Sequence, residues 1–177
     1  MQNKHHRKSI RLKGYDYSQQ GCYFVTICTK NRMPLFGEIA GGEMNLNFWG
    51  RITDECWQAI PDHYPHVSLD EYVIMPNHIH GIIVINPSGG VGVQNVEPLR
   101  HEYQINQYQH IIPKSLGSIV RGFEIGVTKW FRHHTDIHTV WQRNFHDHVI
   151  RNEEGLNRIR QYIMDNPKNW EKDEFFG

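Results

Sequence analysis

Residues 72–85 read YVIMPNHIHGIIVI and carry the first clear signal of the fold. Pro76-Asn77 is a turn dipeptide between two runs rich in branched aliphatic residues. Those runs predict consecutive strands over 67–75 and 78–85, the second being the most apolar segment of the chain. Side chains alternate along a strand, so His78 and His80 leave from the same face. Two neighbouring imidazoles can share one divalent cation. They can also be half-buried histidines bonded to their neighbours. Their position between apolar runs favours a partner of some kind, because an unpartnered imidazole is costly to bury.

Upstream, residues 21–29 (GCYFVTICT) predict a buried strand. Residues 36–46 hold Gly41-Gly42 between short segments and suggest a small hairpin. Residues 48–64 place Trp49, Ile52, Cys56, Trp57 and Ile60 at helical spacing, with Pro61 near the end. Downstream, residues 86–113 are polar and interrupted by three prolines, which reads as a long mobile loop. Ser115 can cap a helix running to about His134. A fourth strand is expected within 139–150, and a last helix over 153–166, stopped by Pro167.

Set aside the hairpin and the last helix, and the order is β-α-β-β-α-β. The expected class is α+β: a ferredoxin-like antiparallel sheet with two helices on one face, plus a C-terminal helix. The expected organisation is a basic arm over 1–20, one domain over 21–170 and an acidic tail over 171–177.

The 177 residues suit a single core. No run approaches twenty apolar residues, so no membrane span is expected. The N-terminus lacks the apolar segment of a secretory signal, and three cysteines form no C-x-x-C pair. A cytoplasmic protein with free thiols is the expectation. The formal net charge of zero hides an asymmetry: residues 1–32 carry seven Lys/Arg against one acid, and 33–113 carry two against nine. Residues 114–168 return to nine against six. A fold that brings the basic ends together would present a positive surface.

On the last helix, Leu156, Ile159 and Ile163 fall within about 60° of one another and predict the buried stripe. Tyr162 and Asn166 lie one turn apart on its edge. Asn166 can offer a carbonyl oxygen to a metal beside the Tyr162 hydroxyl, while Asp165 points about 100° away. The plain alternative is an amphipathic tyrosine and a helix-end asparagine. On the helix at 115–134, Leu116, Ile119, Val120, Phe123, Val127 and Trp130 share one side. Arg121, Lys129 and Arg132 share the other. A cationic stripe without paired acids suits a phosphate backbone, or is a solvated face. Residues 141–148 (WQRNFHDH) interleave aromatic and cationic groups, Arg143 among them, as contacts to single-stranded nucleic acid do. His146 and His148 form a second H-x-H pair, in a setting less suited to a metal.

Residues 72–85 resemble the HUH motif of single-tyrosine transposases. Residues 162–170 (YIMDNPKNW) resemble their tyrosine helix with its Asn-Pro turn. Residues 23–29, 141–145 and 149–152 resemble the branch of REP-associated tyrosine transposases. The resemblance implies a metal-dependent single-strand DNA endonuclease and strand transferase acting next to hairpins. It implies Tyr162 as nucleophile, His78, His80 and Asn166 as metal ligands, and Mg²⁺ or Mn²⁺ as the ion. DNA contacts are expected at Arg121, Lys129, Arg132, Arg143 and, in the basic arm, Lys8 and Arg11. The protein would be a monomer or homodimer. The alternatives are a structure-specific RNA or DNA nuclease that moves no element, and a non-catalytic nucleic-acid-binding module.

Overall fold

A computed structural model describes residues 14–87 and 112–175. Lys8, Arg11, most of the basic arm and most of the expected loop lie outside the described residues. Four strands form one antiparallel sheet: β1 (Gly21–Cys28), β4 (Val67–Ile74), β5 (His78–Ile85) and β6 (His146–Ile150), in the order β4-β5-β1-β6. Between β1 and β4 come the hairpin β2 (Gly37–Ala40) and β3 (Glu43–Leu46), then α1 (Phe48–Gln58) and α2 (Ile60–His63). The helix α3 (Leu116–His134) separates β5 from β6, and α4 (Glu153–Asp165) follows. With the hairpin and α4 set aside, this is the expected ferredoxin-like arrangement.

Alternation decides what each sheet face carries. Tyr23, Val25 and Ile27 of β1 join Ile79, Ile83 and Ile85 of β5 in one core. Trp57 from α1 and Leu116, Ile119, Val120, Phe123, Val127 and Phe131 from α3 cover them. The opposite face presents Phe24, Thr26, His78 and His80, and α4 lies over it, with Phe24 5.4 Å from the His80 ring and 6.0 Å from the Tyr162 ring. Thus two helices sit on one face and the tyrosine helix on the other.

Local chemistry explains the element ends. Asn47, Ser115 and Asn152 cap α1, α3 and α4, each side chain accepting a backbone N–H of the first turn. The helix expected over 48–64 is broken at Ala59, because Pro61 opens a new short helix. The strand expected within 139–150 is shorter, covering His146–Ile150 alone. Asn144 turns at φ 70°, so 139–143 pairs with the end of β1 through a single bridge, Thr29 with Trp141. On α3, Phe131 takes a buried place and Trp130 is only half-buried.

At Gly81 α1 meets the sheet closely. A Cβ there would collide with the Trp57 ring, and Trp57 is fully buried. Gly81→Ala is expected to cost about 1–3 kcal/mol through overpacking. Thermal denaturation followed by circular dichroism should show a melting temperature lower by several degrees; an unchanged melt would mean that Trp57 shifts freely.

Candidate active site

The turn at Pro76-Asn77 ends β4 and starts β5, which buries His78 and His80 on the α4 face. Their rings are 4.4 Å apart, centre to centre. Each ring is held from behind. His78 Nδ1 lies 2.8 Å from Asn77 Oδ1, and Asn77 Nδ2 donates to the carbonyls of Phe175 and Arg32. The amide oxygen therefore accepts, and His78 Nδ1 must carry the proton. His80 Nδ1 lies 2.8 Å from the Thr26 hydroxyl. His78 Nε2 is thereby left as a lone-pair donor, and the Thr26 hydroxyl, able to donate or accept, leaves His80 Nε2 free to be one.

Burial, then the neighbouring His80, pushes the His78 pKa down to about 3. Burial also lowers that of His80, against the pull of Asp173. Both imidazoles are therefore neutral, as metal ligands must be. His78 Nε2 is buried with no hydrogen-bond partner among the described residues, and so is Asn166 Oδ1. Two orphaned acceptors of this kind are uncommon and point to an absent electrophile.

The helix α4 brings the rest. The bidentate pair of Arg160 with Asp70, at 2.7 and 2.6 Å, ties it to β4 at an irregularity between Leu69 and Tyr72. Its hydrogen bonds to Asp70 hold that carboxyl below its usual range. Ile163 is buried and Leu156 and Ile159 half-buried, as their spacing predicts. Tyr162 is 43% exposed, and its hydroxyl lies 3.2 Å from His80 Nε2. Asn166 is more buried than an edge residue, at 2% exposed. Asp165 turns away and accepts from Gln161 instead.

One participant escaped the sequence reading. Asp173, in the stretch read as an acidic tail, places Oδ2 2.7 Å from Asn166 Nδ2, 3.4 Å from the Tyr162 hydroxyl and 3.8 Å from His80 Nε2. Burial works upward on its pKa, but the neighbouring His80 imidazole and hydrogen bonds from Asn166 Nδ2 and the Phe175 N–H win and hold it low. Burial, then the charges of Asp173 and Glu174, push the Tyr162 pKa up to about 12. Phe175 closes the site, its ring 5.0 Å from His78 and 6.0 Å from His146. Potential ligand atoms of His78, His80 and Asp173 lie within 4.8 Å of one another. With Asn166 Oδ1, the donors are two imidazole nitrogens and two oxygens. That set fits a divalent first-row cation such as Mn²⁺ better than Mg²⁺, which prefers oxygen alone.

The structure brings His78, His80, Tyr162 and Asn166 together. It does not bring Arg121, Lys129 and Arg132 to them: these lie exposed on α3, beyond the opposite face of the sheet. Arg143 is exposed beside Trp141. His148 pairs with Phe24 in register and is exposed.

No family model matches the chain. It is 45% identical, over 97% of its length and 94% of the other's, to an uncharacterized protein of Haemophilus influenzae. Its fold matches the structure of a REP-associated tyrosine transposase bound to a REP hairpin, with a TM-score of 0.56 at 20% identity. That match covers 89% of this chain and 72% of the other. A crystal structure from Deinococcus radiodurans, described as a candidate transposase, gives a TM-score of 0.40 at 17% identity, too loose to bear on the fold. It spans 88% of this chain and 95% of the other.

Proposed function

We propose that this chain, which belongs to one family with the Haemophilus influenzae protein and has the fold of the REP-associated tyrosine transposase, is an HUH-class endonuclease and strand transferase. Its substrate is single-stranded DNA beside a hairpin, and it depends on a divalent cation. The observation that carries this reading is the Tyr162 hydroxyl, 3.2 Å from His80 Nε2, in a site where two buried acceptors, His78 Nε2 and Asn166 Oδ1, have no partner among the described residues. The hairpin bound to the structural relative supports hairpin DNA as the partner here.

His78 and His80 through Nε2, Asn166 through Oδ1 and Asp173 through a carboxylate oxygen would hold the cation. A cation held there would act as a Lewis acid toward the scissile phosphate and stabilise the charge that builds on it. The Tyr162 oxygen attacks phosphorus, and the bond from phosphorus to the 3′-oxygen breaks. The electron pair leaves on that oxygen, which becomes the free 3′-hydroxyl, while the 5′-phosphate stays on Tyr162. Asp173 Oδ2, 3.4 Å from the phenol oxygen, is the acceptor placed to take its proton, and a proton returned from there or from solvent completes the 3′-hydroxyl. Because the ester conserves the bond, a second 3′-hydroxyl can reverse the step on another strand.

Arg143, and Lys8 and Arg11 of the basic arm, would meet DNA phosphates. Arg121, Lys129 and Arg132, beyond the other sheet face, would meet parts of the DNA remote from the scissile bond. The direct test is a denaturant-resistant adduct between protein and end-labelled hairpin DNA; no adduct on any tyrosine would end the proposal.

Thr26 acts through His80. Thr26→Val keeps the shape and removes the hydroxyl that orients the His80 ring. Mn²⁺ affinity by titration calorimetry should fall about ten- to a hundredfold. Unchanged affinity would reduce Thr26 to packing.

A further inference from the structure

The end of β1 and the segment before β6 build a groove that the site does not use. Lys30 N–H donates to the Val140 carbonyl and Gln142 N–H to the Cys28 carbonyl, each at 2.8 Å, so the two segments run side by side. Lys30, Arg32 and Arg143 line the groove with Thr139, Trp141 and Gln142, and no acid does. The three cations are exposed, and among the described residues no carboxylate forms an ion pair with them. Trp141 is anchored as the floor: its indole N–H donates to the Glu124 carbonyl, and its ring packs on Phe36 and Phe123. Arg32 and Asn144 both hold left-handed backbone, at φ 55° and 70°. Non-glycine residues keep that conformation only where their surroundings enforce it.

Arg32 joins the groove to the candidate active site. Its guanidinium donates to the Glu174 carbonyl at 3.0 Å and lies 5.6 Å over the Phe175 ring, which itself packs on His78. Arg32 thus links the groove that holds Lys30 and Arg143 to the residues that wall the histidine pair. We propose that this groove is a single-strand subsite, in which Lys30, Arg32 and Arg143 take successive phosphates of the DNA adjoining the cleaved bond. The proposal rests on the endonuclease reading for its direction along the strand. Phosphate capture by unpaired cations follows from the groove alone.

The test is equilibrium binding of fluorescein-labelled (dT)12 by anisotropy, with EDTA present, across a salt series. The Lys30→Ala/Arg143→Ala protein should bind at least tenfold more weakly at low salt. Its slope of log K against log salt should be shallower by about 1.4, at roughly 0.7 for each single-strand phosphate contact. Both substitutions are on the surface, so thermal melts should match those of the native chain. An Arg51→Ala/Lys114→Ala protein, which loses two exposed cations outside the groove, should bind (dT)12 like the native chain. Equal loss in both pairs, no loss in either, or no binding of (dT)12 by the native chain would overturn the subsite. So would a tenfold preference for (rU)12. The endonuclease reading falls separately, if hairpin DNA and metal give no tyrosine adduct.

Discussion

Tyr162→Phe is expected to abolish the protein–DNA adduct and lower strand cleavage by at least about a thousandfold, or about 4 kcal/mol of barrier. The substitution removes one oxygen and leaves the ring on Phe24 and His80, where it packs edge-on at 6.0 and 5.2 Å. The fold should survive it, because α4 is held by Ile163 and the Arg160–Asp70 pair rather than by the phenol. The hydroxyl starts from an unpromising state, since burial and Asp173 push its pKa up to about 12. At neutral pH almost none is ionised, so the oxygen must lose its proton as the bond to phosphorus forms. Native protein incubated with end-labelled hairpin DNA and Mn²⁺ should give a denaturant-resistant species. Peptide mapping should place the label within residues 161–170. An adduct on Tyr15, Tyr17 or Tyr23, or full cleavage by the Phe variant, would replace the phenol with another nucleophile such as water.

Parts of this site were legible because they follow short-range rules. The two-residue repeat of a strand put His78 and His80 on one face, and the 3.6-residue repeat of a helix put Tyr162 and Asn166 on one edge. Leu156, Ile159 and Ile163 told which side of α4 would meet the sheet. Asp173 follows no such rule. It reaches the histidines only after the Pro167–Lys172 turn folds back, and nothing local separates it from Glu171 or Glu174. The same holds for the basic groove. Lys30 and Arg143 are 113 positions apart, and only the bridge between Thr29 and Trp141 makes them neighbours. Expected strand length failed at 139–145 for a related reason: one left-handed residue, Asn144, ends the pairing, and asparagine tolerates that conformation without requiring it.

His80→Ala should remove specific metal binding and lower cleavage on the order of a hundred- to a thousandfold, the usual loss when a group that stabilises transition-state charge is deleted. The reason lies in the unmet acceptors. His78 Nε2 and Asn166 Oδ1 are buried without partners among the described residues, and each such group costs about 1–3 kcal/mol when nothing binds it. A cation that binds the folded chain alone must therefore stabilise it. At a hundred times the dissociation constant, the gain is about 2.7 kcal/mol, whichever ligands supply it. For a chain of this size that raises the melting temperature by several degrees. Native protein should show that rise with Mn²⁺, while His80→Ala should melt alike with and without it. The His80→Gln protein makes the measurement sharper, because it keeps a polar side chain and most of the volume while losing the imidazole. If Mn²⁺ shifts the melt of either variant as it does the native one, the ion sits elsewhere. The two orphaned atoms would then need a different partner, and Tyr162 a different source of activation.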